Sequence, residues 1–168
     1  MSRTDNSEMI RGRFREVLKE NGLPQIDPRE SKKKTGIGFA DLLTELYLTR
    51  VGLLHVHVTS EGRGFWGYRS HILDTLTKMR KEGIPCFLVL LKGRLQDDDR
   101  RGTHFVADGY ILEDWEWMRG QPGVSRDAEG DYKINERVLQ RRGCELIQSI
   151  QEIVRRLANQ PAWTGRRE

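Results

Sequence analysis

Long apolar runs are missing from this chain: the longest, Cys86 to Leu91, is far shorter than the roughly 20 residues needed to cross a bilayer. No membrane partner is expected. Met1 to Glu8 is polar and lacks the apolar stretch of a secretory signal, so the expected location is cytoplasmic. Cysteine is scarce as well. Cys86 and Cys144, the two in 168 residues, fall in segments that read as a buried strand and an amphipathic helix, which suits small core residues in a reducing compartment and not a redox pair. Internal repeats and low-complexity tracts are absent.

Hydrophobic residues make up 36% of the chain and charged residues 32%, so the expectation is one compact α/β domain with a densely charged surface, spanning 1–160 and followed by a tail at 161–168. Lysine and arginine total 29 against 25 acids, a formal charge of +4, which permits a nucleic-acid partner without requiring one.

Met9, Ile10, Phe14, Val17 and Leu18 recur at helical spacing after Ser7, and Asn21-Gly22 followed by Pro24 stops that helix. Pro24 to Thr35, with Lys32, Lys33 and Lys34, reads as an exposed basic loop. Phe39 to Thr49 and Leu53 to Thr59 read as a hairpin turning at Arg50-Val51-Gly52. In its second arm Leu54, Val56 and Val58 alternate with His55, His57 and Thr59, giving one apolar and one polar face, and Asp41 is expected opposite the polar row. Ser60 to Tyr68 is expected to be a glycine-rich loop. Ile72, Leu73, Leu76 and Met79 form the stripe of the next helix, and Cys86 to Leu91 reads as a strand buried on both faces. Lys92 to Gly102 is expected to be a mobile charged loop, with Phe105 to Leu112 a strand or a hairpin turning at Asp108-Gly109. A long C-terminal helix is expected over about 135–159, with Leu146, Ile147, Ile150, Ile153, Val154 and Leu157 on one face.

The order helix, hairpin, helix, buried strand, with Asp41 opening the hairpin and a polar row on its second arm, resembles the PD-(D/E)XK, or restriction endonuclease-like, nuclease superfamily. The resemblance implies a central mixed β-sheet flanked by helices, with the nuclease-like core at about 8–117. Phe39-Ala40-Asp41-Leu42-Leu43 looks like the strand bearing the metal-binding aspartate, and Leu54 to Ser60 looks like the strand bearing the Glu-x-Lys element. In such a motif two carboxylates on adjacent strands hold a divalent metal while a lysine two residues along the same face orients or deprotonates the attacking water. Where the family has Glu and Lys this chain has His57 and Thr59, or His55 and His57.

The resemblance therefore implies catalytic roles at Asp41, His57 and Thr59, with Lys78 or Arg69 replacing the missing lysine. It also implies metal ligation by Asp41, His55, His57 and Glu61, and a Mg2+ or Mn2+ cofactor. His55-x-His57 independently reads as a transition-metal pair, completed by Asp41, His71 or His104, or simply as a hydrogen-bonded strand face. For nucleic acid, DNA rather than RNA, the expected footprint is Lys32, Lys33, Lys34, Arg63, Trp66 and Arg69. The expected function is a nuclease-fold protein that binds DNA, either a metal-dependent endonuclease or a catalytically degenerate relative. The alternative is a non-enzymatic protein interaction module that uses Trp115 to Trp117 and the C-terminal helix as contact surfaces.

Overall fold

The structure is a computed structural model and describes residues 3–26, 46–60, 64–100, 102–121, 123–126 and 131–163. Helix α1 (Arg3–Glu20) leads to a hairpin of β1 (Leu46–Thr49) and β2 (Gly52–Ser60), then β3 (Phe65–Tyr68) and α2 (Ser70–Lys81). A long antiparallel pair follows, β4 (Cys86–Asp98) and β5 (Gly102–Leu112), and then a 3-10 turn at Glu116–Gly120. The chain continues through β6 (Ser125–Arg126), β7 (Tyr132–Asn135), α3 (Glu136–Arg141) and α4 (Ile150–Ala158).

The main sheet has four strands in the order β1-β2-β4-β5, and helices flank it, as expected for an α/β domain with a mixed sheet. β1 runs antiparallel to β2, β2 lies parallel to β4 after a crossover through α2, and β5 returns antiparallel to β4. Consecutive strand residues point to opposite faces, so the apolar run of β4 feeds two cores. Phe87, Val89 and Leu91 join Leu54, Val56 and Val58 under α1 and α4, against Phe14, Val17, Ile153 and Val154. Cys86, Leu88 and Leu90 join Leu53, Trp66, Tyr68, Leu76 and Tyr110 under α2 and a second sheet of order β3-β7-β6. Burial pushes the Cys86 thiol up to about 12, the behaviour of an inert core residue.

Two local expectations, the stop of α1 and the hairpin turn, hold for identifiable reasons. Gly22 adopts φ +71° behind α1, where Leu23 N–H donates to Leu18 O at 2.8 Å and closes the helix. The hairpin turns at Arg50-Val51, and the Arg50 side chain donates to the Gly22 carbonyl at 3.1 Å and the Ala158 carbonyl at 3.3 Å, tying together the ends of α1 and α4. Trp163 in the tail is partly buried against the core, and its backbone N–H donates to Arg50 O.

Three expectations are corrected. Most of the charged stretch expected as a loop, Lys92 to Gly102, is strand: β4 runs on to Asp98, and the pairs Arg94↔Val106 through Asp98↔Gly102 form a two-stranded ribbon beyond the point where β2 ends. Phe65–Tyr68, expected within a glycine-rich loop, is strand β3 paired with β7, whereas Phe105 to Leu112 takes the strand alternative, with Asp108-Gly109 inside β5. The long C-terminal helix is two helices. Gly143 at φ +76° ends the first, and Ile147 is extended, exchanging hydrogen bonds with Gly109 of β5 at 2.9 and 2.8 Å, before Ser149 caps α4 through the Glu152 N–H. The first arm of the hairpin is described from Leu46 onward, so the register of Asp41 lies outside the described residues.

Candidate functional site

The polar row of β2 faces inward. His55 is 1% exposed, Thr59 is buried and His57 is half-buried. The two imidazoles stack with centroids 6.3 Å apart, and the Tyr68 ring lies against both, at 5.3 and 5.2 Å. Thr59 Oγ1 donates to Phe65 O at 2.8 Å, which fastens β3 over the end of β2. Two imidazoles under an aromatic ring and a hydroxyl already bonded to a carbonyl are a poor donor set for Mg2+ or Mn2+, which prefer carboxylate and water oxygens. Among the described residues no group of three or more His, Cys, Asp or Glu side chains is placed to hold a metal ion. Asp41 and Glu61 lie outside the described residues, as do Lys32, Lys33, Lys34 and Arg63.

The remaining expected site residues are dispersed. Lys78 is exposed on α2, off the stripe of Ile72, Leu73, Leu76 and Met79 that packs on the sheet, so it sits away from the histidine row. His71 and Arg69 are also exposed at the start of that helix. Trp66, expected to stack on a base, is a core residue: it is 1% exposed, its indole N–H donates to Leu91 O at 3.0 Å, and its ring meets Tyr110 edge-on. A base reaching that ring would have to open the core.

A different polar cluster forms where the sheet emerges from this core. Thr59, Lys92 and Asp108 are cross-strand neighbours on β2, β4 and β5, on the face that carries Tyr110 and Arg94. Lys92 Nζ reaches Glu136 Oε2 of α3 at 2.7 Å, with both side chains about three-quarters buried. Asp108 is only 8% exposed, its Oδ2 is 3.9 Å from Arg94, and its Oδ1 is buried without a hydrogen-bond partner. Leaving such an acceptor unsatisfied costs about 1–3 kcal/mol, and more when it is charged. The Tyr110 hydroxyl, also buried, lies beside Glu136 and Gln140 without a well-formed hydrogen bond. Burial first, then the adjacent Glu136 and Asp108 charges, pushes its pKa up to about 12.

That shift has a definite sign. Folding favours the neutral phenol, so the stabilisation is complete below the ordinary value of 10 and is lost as pH rises from there through about 12. Phenolate absorbance of the folded protein should therefore show a late step that Tyr110→Phe removes. An identical titration in the variant would contradict the placement of this hydroxyl.

Sequence reasoning missed Lys92, Asp108, Tyr110 and Glu136. The one available signal was an acid inside the otherwise strand-like run Phe105 to Leu112, and its glycine neighbour made the pair look like a turn.

A cleft of about 420 Å³ opens between the Trp115–Trp117 segment and α4, lined by Trp117, Arg142, Cys144, Glu145, Arg156 and Gln160. Arg142 stacks on Trp117 at 4.2 Å, and Arg156 forks onto Glu145 at 2.7 and 2.9 Å. No protein-family model, curated protein or solved structure matches this chain.

Proposed function

We propose that this chain is a DNA-binding protein on a nuclease-like scaffold, with nucleic acid held at the carboxyl ends of the parallel strands β2 and β4. The observation that carries the reading is the pair of cations at that end: Arg94, exposed on β4 just past the last residue of β2, and Lys133, its ammonium 5.2 Å over the half-buried ring of Phe65, whose carbonyl Thr59 of β2 holds. Cations that meet phosphates beside an aromatic face suit a nucleic-acid backbone, and the carboxyl end of a parallel pair is where open α/β sheets usually take ligands. The basic segment Lys32 to Lys34 and the cation Arg63 belong to the same reading.

Binding of labelled single- and double-stranded DNA, followed by fluorescence anisotropy across a salt series, tests it. The expected result is salt-sensitive binding whose log–log slope falls by roughly one in Arg94→Ala or Lys133→Ala. With Mg2+ or Mn2+ added, cleavage that Asp41→Ala abolishes marks an active endonuclease, and binding without cleavage marks a degenerate relative. Absence of both cleavage and salt-sensitive binding overturns the proposal.

A second reading, a protein interaction module, is favoured by the cleft beside Trp117, because arginine stacked on tryptophan is a common anchor of protein interfaces. A strict monomer at high concentration that recovers no partner counts against it.

A further inference from the structure

We propose that Asp108, with Glu136 as a second carboxylate, forms a binding site for a divalent cation of the hard, oxygen-preferring class. The site shares Arg94 with the DNA reading but does not depend on it, and its test needs no nucleic acid. Asp108 is held in β5 between its strand neighbours and, at 8% exposure, has little contact with bulk water. A carboxylate in that position normally keeps its charge by accepting hydrogen bonds or binding a cation. Here the nearest cation, Arg94, approaches only Oδ2, and at 3.9 Å it is an ion pair without a hydrogen bond, while Oδ1 has no partner at all. Lys92, the cross-strand neighbour of Asp108, holds Glu136 at 2.7 Å and so brings the second carboxylate to this region.

The buried Tyr110 hydroxyl lies near both carboxylates and lacks a well-formed partner of its own, so two orphaned polar atoms share one region. A single hydrated cation accounts for both: it would take Asp108 Oδ1 directly and present its water to the phenol oxygen. Ions of the magnesium class often use only one or two carboxylates and keep several waters, so a third protein ligand is not required. Lys92, a flexible point charge, can yield Glu136 to the incoming ion or stay paired and leave Glu136 to act through water.

Terbium luminescence tests the site, because this oxygen-preferring ion emits when excited through nearby aromatics, and Trp66 lies 6.1 Å from Tyr110. The full-length chain should show saturable sensitised emission that Mg2+ or Mn2+ competes away. Asp108→Asn should weaken binding by about ten-fold or more, the loss even an outer-shell substitution can cause, and Glu136→Gln by a smaller factor. Glu113→Gln, an exposed acid elsewhere, should change nothing. Absence of saturable emission, or equal emission from wild type and Asp108→Asn, overturns the site. Should Asp108→Asn fail to fold, unchanged emission in Glu136→Gln overturns it instead.

Discussion

Trp66→Ala should lower the free energy of unfolding by about 3–5 kcal/mol, the usual cost of deleting a buried tryptophan. The ring is 1% exposed, fills the space between the main sheet and β3, and meets Tyr110 edge-on at 6.1 Å. The substitution also removes the indole donor to Leu91 O, a bond from the second sheet to the central strand. Trp66→Phe keeps most of the volume and loses mainly that bond, so it should cost less, about 1–2 kcal/mol. Denaturant unfolding measures both. The pair also decides which role the residue has: if Trp66→Phe keeps its stability while DNA affinity collapses, the ring is a stacking platform after all, and the core assignment fails.

Gly109→Ala is the second large effect, at roughly 3 kcal/mol or more, a large share of the about 5–15 kcal/mol that stabilises an ordinary domain. A β-carbon at Gly109 would run into the Leu90 carbonyl oxygen and carbon, which belong to the backbone of β4 and cannot rotate aside. Relief therefore requires β5 to move off β4, and with it the registers Lys92↔Asp108 and Leu90↔Tyr110 that assemble the polar cluster. Gly67 is the control. Nothing lies within 4 Å of the β-carbon position there, so Gly67→Ala should stay within about 0.5 kcal/mol of wild type. Equal melting temperatures for the two variants would show that β5 does not need its close approach to β4.

Elements carried by a clear period were legible in the sequence. The α4 stripe Ile150, Ile153, Val154 and Leu157 and the α2 stripe Ile72, Leu73, Leu76 and Met79 are buried as their spacing requires. The alternation of β2 correctly separates Leu54, Val56 and Val58 from the histidine row. Leu146 and Ile147 continue the apolar pattern of α4 without being helical. An extended segment and a helix both place such residues inward over so short a stretch, and the preference for pairing with Gly109 is a tertiary effect. The ribbon beyond Gly93 was illegible for a related reason: its charged outgoing arm looks like a loop alone, and only its register with the returning arm makes it a strand.

The candidate site was less legible than the fold. A polar strand row signals a site only when it faces a cleft, and alternation cannot say what covers a face. Here Tyr68 and Phe65 cover it, both from the segment expected as a glycine-rich loop. The polar cluster that does lie near the surface draws on β2, β4, β5 and α3, and no spacing rule links residues as far apart as Thr59 and Glu136.

The pairing of Ile147 with Gly109 also bears on how copies of this chain meet one another. β5 is an outer strand of the main sheet, and an outer strand offers unpaired amides and carbonyls to which another molecule can add a strand. At Gly109 both groups are already taken by the chain's own Ile147, on the stretch of β5 that abuts the apolar centre and would be the most adhesive. The linker between α3 and α4 thus acts as a built-in guard against edge-to-edge aggregation, stationed where a growing fibre would otherwise find its template.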